Sequence, residues 1–252
     1  MKSTITIIKK LTLFTVLITS LGACSSNGTR PVEKKDSAAT YNARLGAEYT
    51  GKGRLNLANE KLQKALEQDP NSADAHHYYA ILQQRLGADD KADVHFRRAM
   101  QLSPKDPQLL NNYGSHLCKV GRYQEASKQF LAAINDPLYT TPEFAYTNAG
   151  ICIRSSGDTS QAEAYFRKAL ESKPTFGSAL YQMAKLKYDQ GDYARAQAFL
   201  QRYHQRNREE AETLSLCAKI NTKLGDQVGA ERCRNKLAGT TSNSKEFAEF
   251  GG

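Results

Sequence analysis

The chain is 252 residues long, enough to bury a sizeable core as one domain or two small ones. Lys and Arg number 35 against 26 Asp and Glu, a formal charge of +9. Three of those cations, Lys2, Lys9 and Lys10, stand at the very start. Without them 32 basic residues face 26 acidic ones, leaving +6, a mild excess that reads as solvated helix faces rather than a polyanion-binding surface.

In chain order, residues 1–23 read as a secretory signal: a basic start, the uncharged apolar run Leu11 to Leu21, then Gly22 and Ala23. The run is too short to stay in a bilayer as a spanning helix. Leu21-Gly22-Ala23-Cys24 resembles the lipobox of bacterial lipoproteins. The resemblance implies that Cys24 is lipidated and becomes the new N-terminus. Each buried methylene of its acyl chains would contribute about 0.8 kcal/mol of membrane affinity. Ser25 and Ser26 follow in place of Asp, which for lipoproteins implies delivery to the outer membrane, facing the periplasm. A chain exported there meets no nucleic acid. Residues 24–38, rich in Ser, Lys, Asn, Gly and Pro with little but Val32 to bury, read as a flexible tether.

Beyond the tether the chain repeats itself. Ala58, Ala92 and Ala126 are 34 residues apart, as are Leu62, Phe96 and Phe130, then Ala65, Ala99 and Ala133, and also Gly53, Gly87 and Gly121. After a two-residue insertion around Pro137 to Pro142 the pattern returns as Gly157, Ala162, Phe166 and Ala169, then as Gly191, Ala196 and Leu200, then weakly as Gly225 and Ala230. Pro70, Pro104 and Pro174 fall twelve residues after the first alanine of their copies. Each glycine suits the left-handed turn that ends a first helix, the alanines let two helices approach, the large side chain fills the groove, and proline stops the second helix.

This pattern resembles the tetratricopeptide repeat, a 34-residue helical hairpin. The resemblance implies an all-α superhelix of six hairpins, about twelve antiparallel helices, in units 39–72, 73–106, 107–142, 143–176, 177–210 and 211–238. One hairpin cannot bury its apolar face alone, so the copies must stack. Residues 239–252 open on Gly239-Thr240-Thr241-Ser242-Asn243-Ser244 and read as a flexible tail.

Four cysteines remain after Cys24, allowing three pairings. In the repeat register Cys118 meets Cys152 on successive first helices, and Cys217 meets Cys233 across the sixth hairpin; an oxidising compartment favours these disulfides. The competing reading is four small buried apolar residues. His76, His77, His95, His116 and His204 are scattered over different units, without metal-binding spacing, and the chain has neither a Gly-rich phosphate loop nor a GxSxG elbow. The sequence therefore points away from an enzyme, with no catalytic residue, metal, cofactor or small-molecule substrate expected. Stacked hairpins leave a concave face lined by their first helices. The register places there His77, Ile81 and Arg85, then Asn111, Ser115 and Lys119, then Phe144, Thr147, Ile151 and Arg154, then Tyr181, Lys185 and Tyr188. Apolar anchors with a basic rim suit an extended or helical peptide carrying acidic residues.

A lipobox, a short tether and six such units, with Asn111-Asn112-Tyr113-Gly114, Asn148-Ala149-Gly150 and the insertion around Asp136-Pro137 and Tyr139, resemble the type IV pilus biogenesis lipoproteins called PilF or PilW, the pilotins. The resemblance implies a protein that binds the pilus secretin and promotes its outer-membrane localisation and multimer assembly, supporting pilus biogenesis and twitching motility. The alternative is a repeat scaffold for other envelope machinery, such as cell-wall enzyme recruitment or β-barrel assembly.

Overall fold

The structure is a computed structural model that describes residues 37–250; the signal segment, Cys24 and nearly all of the tether lie outside them. The described residues form twelve α-helices and no strand: α1 (Ala38–Gly51), α2 (Leu55–Gln68), α3 (Ala73–Arg85), α4 (Asp89–Leu102), α5 (Pro107–Lys119), α6 (Tyr123–Ile134), α7 (Pro142–Ser155), α8 (Thr159–Ser172), α9 (Gly177–Asp189), α10 (Tyr193–His204), α11 (Ala211–Lys223) and α12 (Gln227–Phe250). Consecutive pairs form six antiparallel hairpins, each packed on the next. The expected all-α repeat stack is the observed fold.

The local chemistry follows the repeat. Gly53, Gly87, Gly121, Gly157, Gly191 and Gly225 all have positive φ, between 72° and 103°, at the turn inside their hairpins. Pro70, Pro104 and Pro174 each stand two residues past the end of a second helix, where a ring without an N–H cannot continue the ladder. Ser37, Ser72, Asp106, Asp158 and Asp192 cap helix N-termini by accepting backbone N–H groups.

Inside each hairpin the joint is a small residue against a large one. A Cβ added to Gly46 would lie 2.4 Å from Leu62, one at Gly114 2.8 Å from Phe130, and one at Gly150 2.5 Å from Phe166. Ala80 and Ala184 are buried at the corresponding positions of the second and fifth hairpins, with Phe96 and Leu200 buried as their large counterparts. In the sixth hairpin the position of the large residue is taken by the exposed Arg234, and a disulfide between Cys217 and Cys233, with Cα atoms 6.0 Å apart, ties α11 to α12 instead.

The C-terminal end differs from the sequence expectation. Rather than breaking at Gly239, α12 runs on through Phe250. A lone glycine costs a helix about 1 kcal/mol, Ser, Thr and Asn cost less, and no proline follows to stop it. The two-residue insertion lengthens the link between the third and fourth hairpins to residues 135–141, where Tyr139 packs on Leu110, Ala133 and Ala145 while Leu138 is 82% exposed.

Candidate protein-binding face

The thirteen inner-face residues lie on α3, α5, α7 and α9, but they do not form one uniform surface. His77, Asn111 and Thr147 are buried, which corrects their assignment to a contact surface. They occupy the same position of successive first helices, and at that position each helix closes on its neighbour. Asn112 Nδ2 donates to His77 Nε2 at 2.9 Å, joining α5 to α3. Asn148 Nδ2 donates to Asn111 Oδ1 at 3.0 Å, joining α7 to α5. Thr147 turns its hydroxyl onto its own helix, donating to the Glu143 carbonyl at 2.7 Å. Burial pushes the His77 imidazole pKa down to about 4, against a weaker opposing pull from Asp106. The ring is therefore neutral at pH 7, with an Nε2 lone pair for Asn112.

Two cations of the set are engaged within the fold. Arg85 Nη1 donates to the Thr50 carbonyl at 3.0 Å, and Lys119 Nζ pairs with Asp89 at 2.7 Å. Ser115 donates to the Asn111 carbonyl at 3.0 Å. Ile81 and Ile151 are half-buried, and Ile151 packs against the cluster of Phe166, Met183 and Leu186. The third-to-fourth seam is further closed by the Cys118–Cys152 disulfide, with Cα atoms 5.6 Å apart.

Beyond α7 the character of the face changes. Among the described residues no side-chain hydrogen bond or ion pair joins α7 to α9 or α9 to α11; Ile151 and Ile153 clustered with Met183 and Leu186 fill the first seam, and Leu180 and Ala184 clustered with Leu216 and Ile220 fill the second. Gln182, at the position that Asn112 and Asn148 fill in earlier hairpins, leaves its Oε1 buried without a partner, and so does Arg154 with its Nη1. At the position of His77 and Asn111, Tyr181 and Ser215 are only half-buried. There the face opens into two clefts of about 470 Å³ each. The first is lined by Tyr181, Lys185, Tyr188, Asp189, Glu212, Ser215 and Lys219 among others. The second runs from Lys173 and Phe176 past Tyr181 to Tyr203, Glu210 and Glu212. Burial, then the charge of Glu212, raises the Tyr181 phenol pKa, with Arg154 acting the other way. Phe144, 45% exposed, meets Phe176 edge-on with ring centroids 4.7 Å apart, extending the aromatic lining.

Glu212, Ser215 and Lys219 of this cleft lie beyond Tyr188, the last residue that the repeat register assigns to the inner face above. The signal was available: Ser215 and Lys219 lie 34 residues after Tyr181 and Lys185. No group of three or more metal-ligating side chains occurs among the described residues.

Comparison with known proteins agrees with this architecture. Tetratricopeptide-repeat family models match residues 61–93 and 154–220. The type IV pilus assembly protein PilF of Pseudomonas aeruginosa is 29% identical over 241 residues, covering 94% of this chain and 96% of PilF. The solved structure of P. aeruginosa PilF superposes with a TM-score of 0.69 at 30% identity, over 84% of this chain and 96% of that one. PilW, described as a widely conserved type IV pilus biogenesis factor, gives 0.73 at 30% identity, over 85% and 98%. This chain belongs to the PilF/PilW family of type IV pilus biogenesis proteins. The likeness spans all six hairpins rather than the repeat signature alone, so the family is distinguished from the many other proteins built on this hairpin.

Proposed function

We propose that this PilF/PilW-family protein is an outer-membrane pilotin: a lipoprotein anchored through Cys24 that binds the type IV pilus secretin and promotes its outer-membrane localisation and assembly into multimers. Near-complete coverage of PilF and PilW at about 30% identity carries this reading. The lipobox pattern at residues 21–24 supplies the means of delivery. A repeat stack with an open inner face holds a client while the acyl chains confer their membrane affinity on the pair. The chemistry asked of the protein is recognition, and no bond of the client need be made or broken.

Deleting the gene, or replacing Cys24 with Ala, should remove heat-resistant secretin multimers from the outer membrane in an immunoblot of fractionated membranes, and should abolish twitching. Normal multimers with normal twitching in the deletion strain would overturn the pilotin reading and favour a scaffold for other envelope machinery.

A further inference from the structure

The second hairpin carries a side-chain pair that the repeat does not require. His76 on α3 and His95 on α4 face each other across the hairpin, with Nδ1 atoms 2.9 Å apart and both residues half-buried. In the next three hairpins the same two positions hold Leu110 and Gln129, Tyr146 and Tyr165, then Leu180 and Phe199. Tyr146 and Tyr165 bring their ring centroids to 6.3 Å, so the positions meet by register, while the paired imidazoles are particular to one hairpin. The far nitrogen of His76 is also held, because its Nε2 lies 3.0 Å from the Pro70 carbonyl. A carbonyl oxygen only accepts, so that nitrogen carries a hydrogen, and the neutral ring turns the lone pair of Nδ1 towards His95. Holding the far N–H of an imidazole on a backbone carbonyl is how proteins orient histidines that bind metal. Burial, then His76 itself, lowers the His95 pKa, which favours the neutral, ligating ring.

We infer that His76 Nδ1 and His95 Nδ1 form a two-imidazole site for a divalent transition metal of the copper and nickel class, a staple between α3 and α4 within the second hairpin. Two metal–nitrogen bonds of about 2.0–2.1 Å meeting at a right angle put their nitrogens about 2.9 Å apart, whereas tetrahedral bonds put them about 3.3 Å apart. The observed separation matches the cis edge of a square-planar or octahedral shell, the tetragonal preference of Cu²⁺ and Ni²⁺ rather than the tetrahedral one of Zn²⁺. In the neutral pair without metal, His95 Nδ1 donates its hydrogen to His76 Nδ1. On binding, His95 carries that hydrogen on Nε2 instead, a small rotation aims both lone pairs at one ion, and no proton is released. Water fills the remaining coordination positions, because no third His, Cys, Asp or Glu joins the pair among the described residues.

The test titrates CuCl₂, NiCl₂ and ZnCl₂ separately into the untagged, detergent-solubilised full chain in a non-coordinating buffer at neutral pH. Calorimetry gives the affinity and electron paramagnetic resonance gives the ligands of Cu²⁺. One equivalent of Cu²⁺ should bind with hyperfine splitting from two nitrogens and should raise the melting temperature, and Ni²⁺ should bind ahead of Zn²⁺. His76→Ala and His95→Gln should each weaken Cu²⁺ binding roughly tenfold or more, at least the loss that removing an outer-shell partner brings, and should cancel the rise in melting temperature. His204, another half-buried imidazole, serves as the control, and His204→Gln should change the affinity by no more than about twofold. Affinity should also fall in acid, as the imidazoles protonate. His95→Gln keeps a hydrogen-bonding side chain at a half-buried position, so the test stays decisive if a thermal melt shows that His76→Ala fails to fold. A Cu²⁺ spectrum with one nitrogen or none, Zn²⁺ bound as tightly as Ni²⁺, or affinity unchanged in both variants overturns the proposal. Weak uptake shared by every variant identifies an adventitious ion only and overturns it too. None of these outcomes bears on the pilotin reading, which stands or falls on the secretin multimers.

Discussion

Hairpins 1 to 4 and hairpins 5 to 6 share one repeat and differ in how their first helices are joined. From α1 to α7 each seam has a directional fastening: Arg85 on the Thr50 carbonyl, Asn112 on His77, Asn148 on Asn111, and the Cys118–Cys152 disulfide. From α7 to α11 no such bond joins the first helices, where Arg154 Nη1 and Gln182 Oε1 are left without partners; the directional contacts between these hairpins involve the second helices instead, Lys187 pairing with Glu163 at 2.7 Å and Gln197 donating to Asn221 at 2.8 Å. Apolar contact is non-directional, so along the inner face itself the later first helices lack the side-chain register that the earlier ones have. The inner face is thus closed by polar bonds in one part of the solenoid and opens into clefts in the other.

The division can be broken at its strongest point first. Replacing both Cys118 and Cys152 with Ala should lower unfolding free energy by about 3–4 kcal/mol, the loop-closure value for a crosslink of this span. Amide exchange should accelerate in α5 and α7 and stay unchanged in α9 and α11. Equal loosening of all four helices would show that the two parts behave as one.

Acid should act next. The folded His77 imidazole has its pKa lowered to about 4 by burial, whereas in the unfolded chain it titrates near 6.5. Between those values the unfolded state binds a proton that the folded state refuses. Stability is therefore full above pH 6.5 and falls as the pH drops towards 4, by an amount on the order of 3 kcal/mol from this residue. Burial also lowers the pKa values of His95, His116 and His204, and only the last belongs to the second part of the molecule. Urea midpoints measured across this range should flatten in His77→Gln, and exchange in acid should rise first in α3 to α6.

The finest test compares two equivalent positions. Asn148→Ala should cost about 1–2 kcal/mol, because it removes a seam bond and leaves Asn111 Oδ1 unpaired. Gln182→Leu should be neutral or stabilising by less than about 1 kcal/mol, because it removes an acceptor that had no partner. Opposite signs in urea melts would place the change of seam between α7 and α9.

The fold was almost wholly legible in the sequence because its determinants are local and recur: positive-φ glycines, capping residues, terminating prolines and the alternation of small with large. The tail was misread because Gly239 and its polar neighbours resemble a break, yet none of them forbids a helix. The layout of the inner face was only half legible. Tyr181, Lys185 and Tyr188, assigned to the inner face by register, line a cleft, but register alone treats every hairpin alike. Whether His77 or Asn111 points to solvent depends on its pairing with Asn112 or Asn148 in the next hairpin, a relation between repeats that periodicity within one repeat does not reveal.

The joint between Gly114 and Phe130, like those between Gly46 and Leu62 and between Gly150 and Phe166, has both members inside a single hairpin. Each 34-residue cassette therefore carries its own lock and key, so copying, deleting or transplanting a whole cassette preserves the fit, while exchanging one helix alone destroys it. What cannot travel is the neighbour-specific chemistry of the seams. A gene growing by tandem duplication would inherit sound hairpins at once and would have to evolve separately the fastenings that decide where the array is stiff.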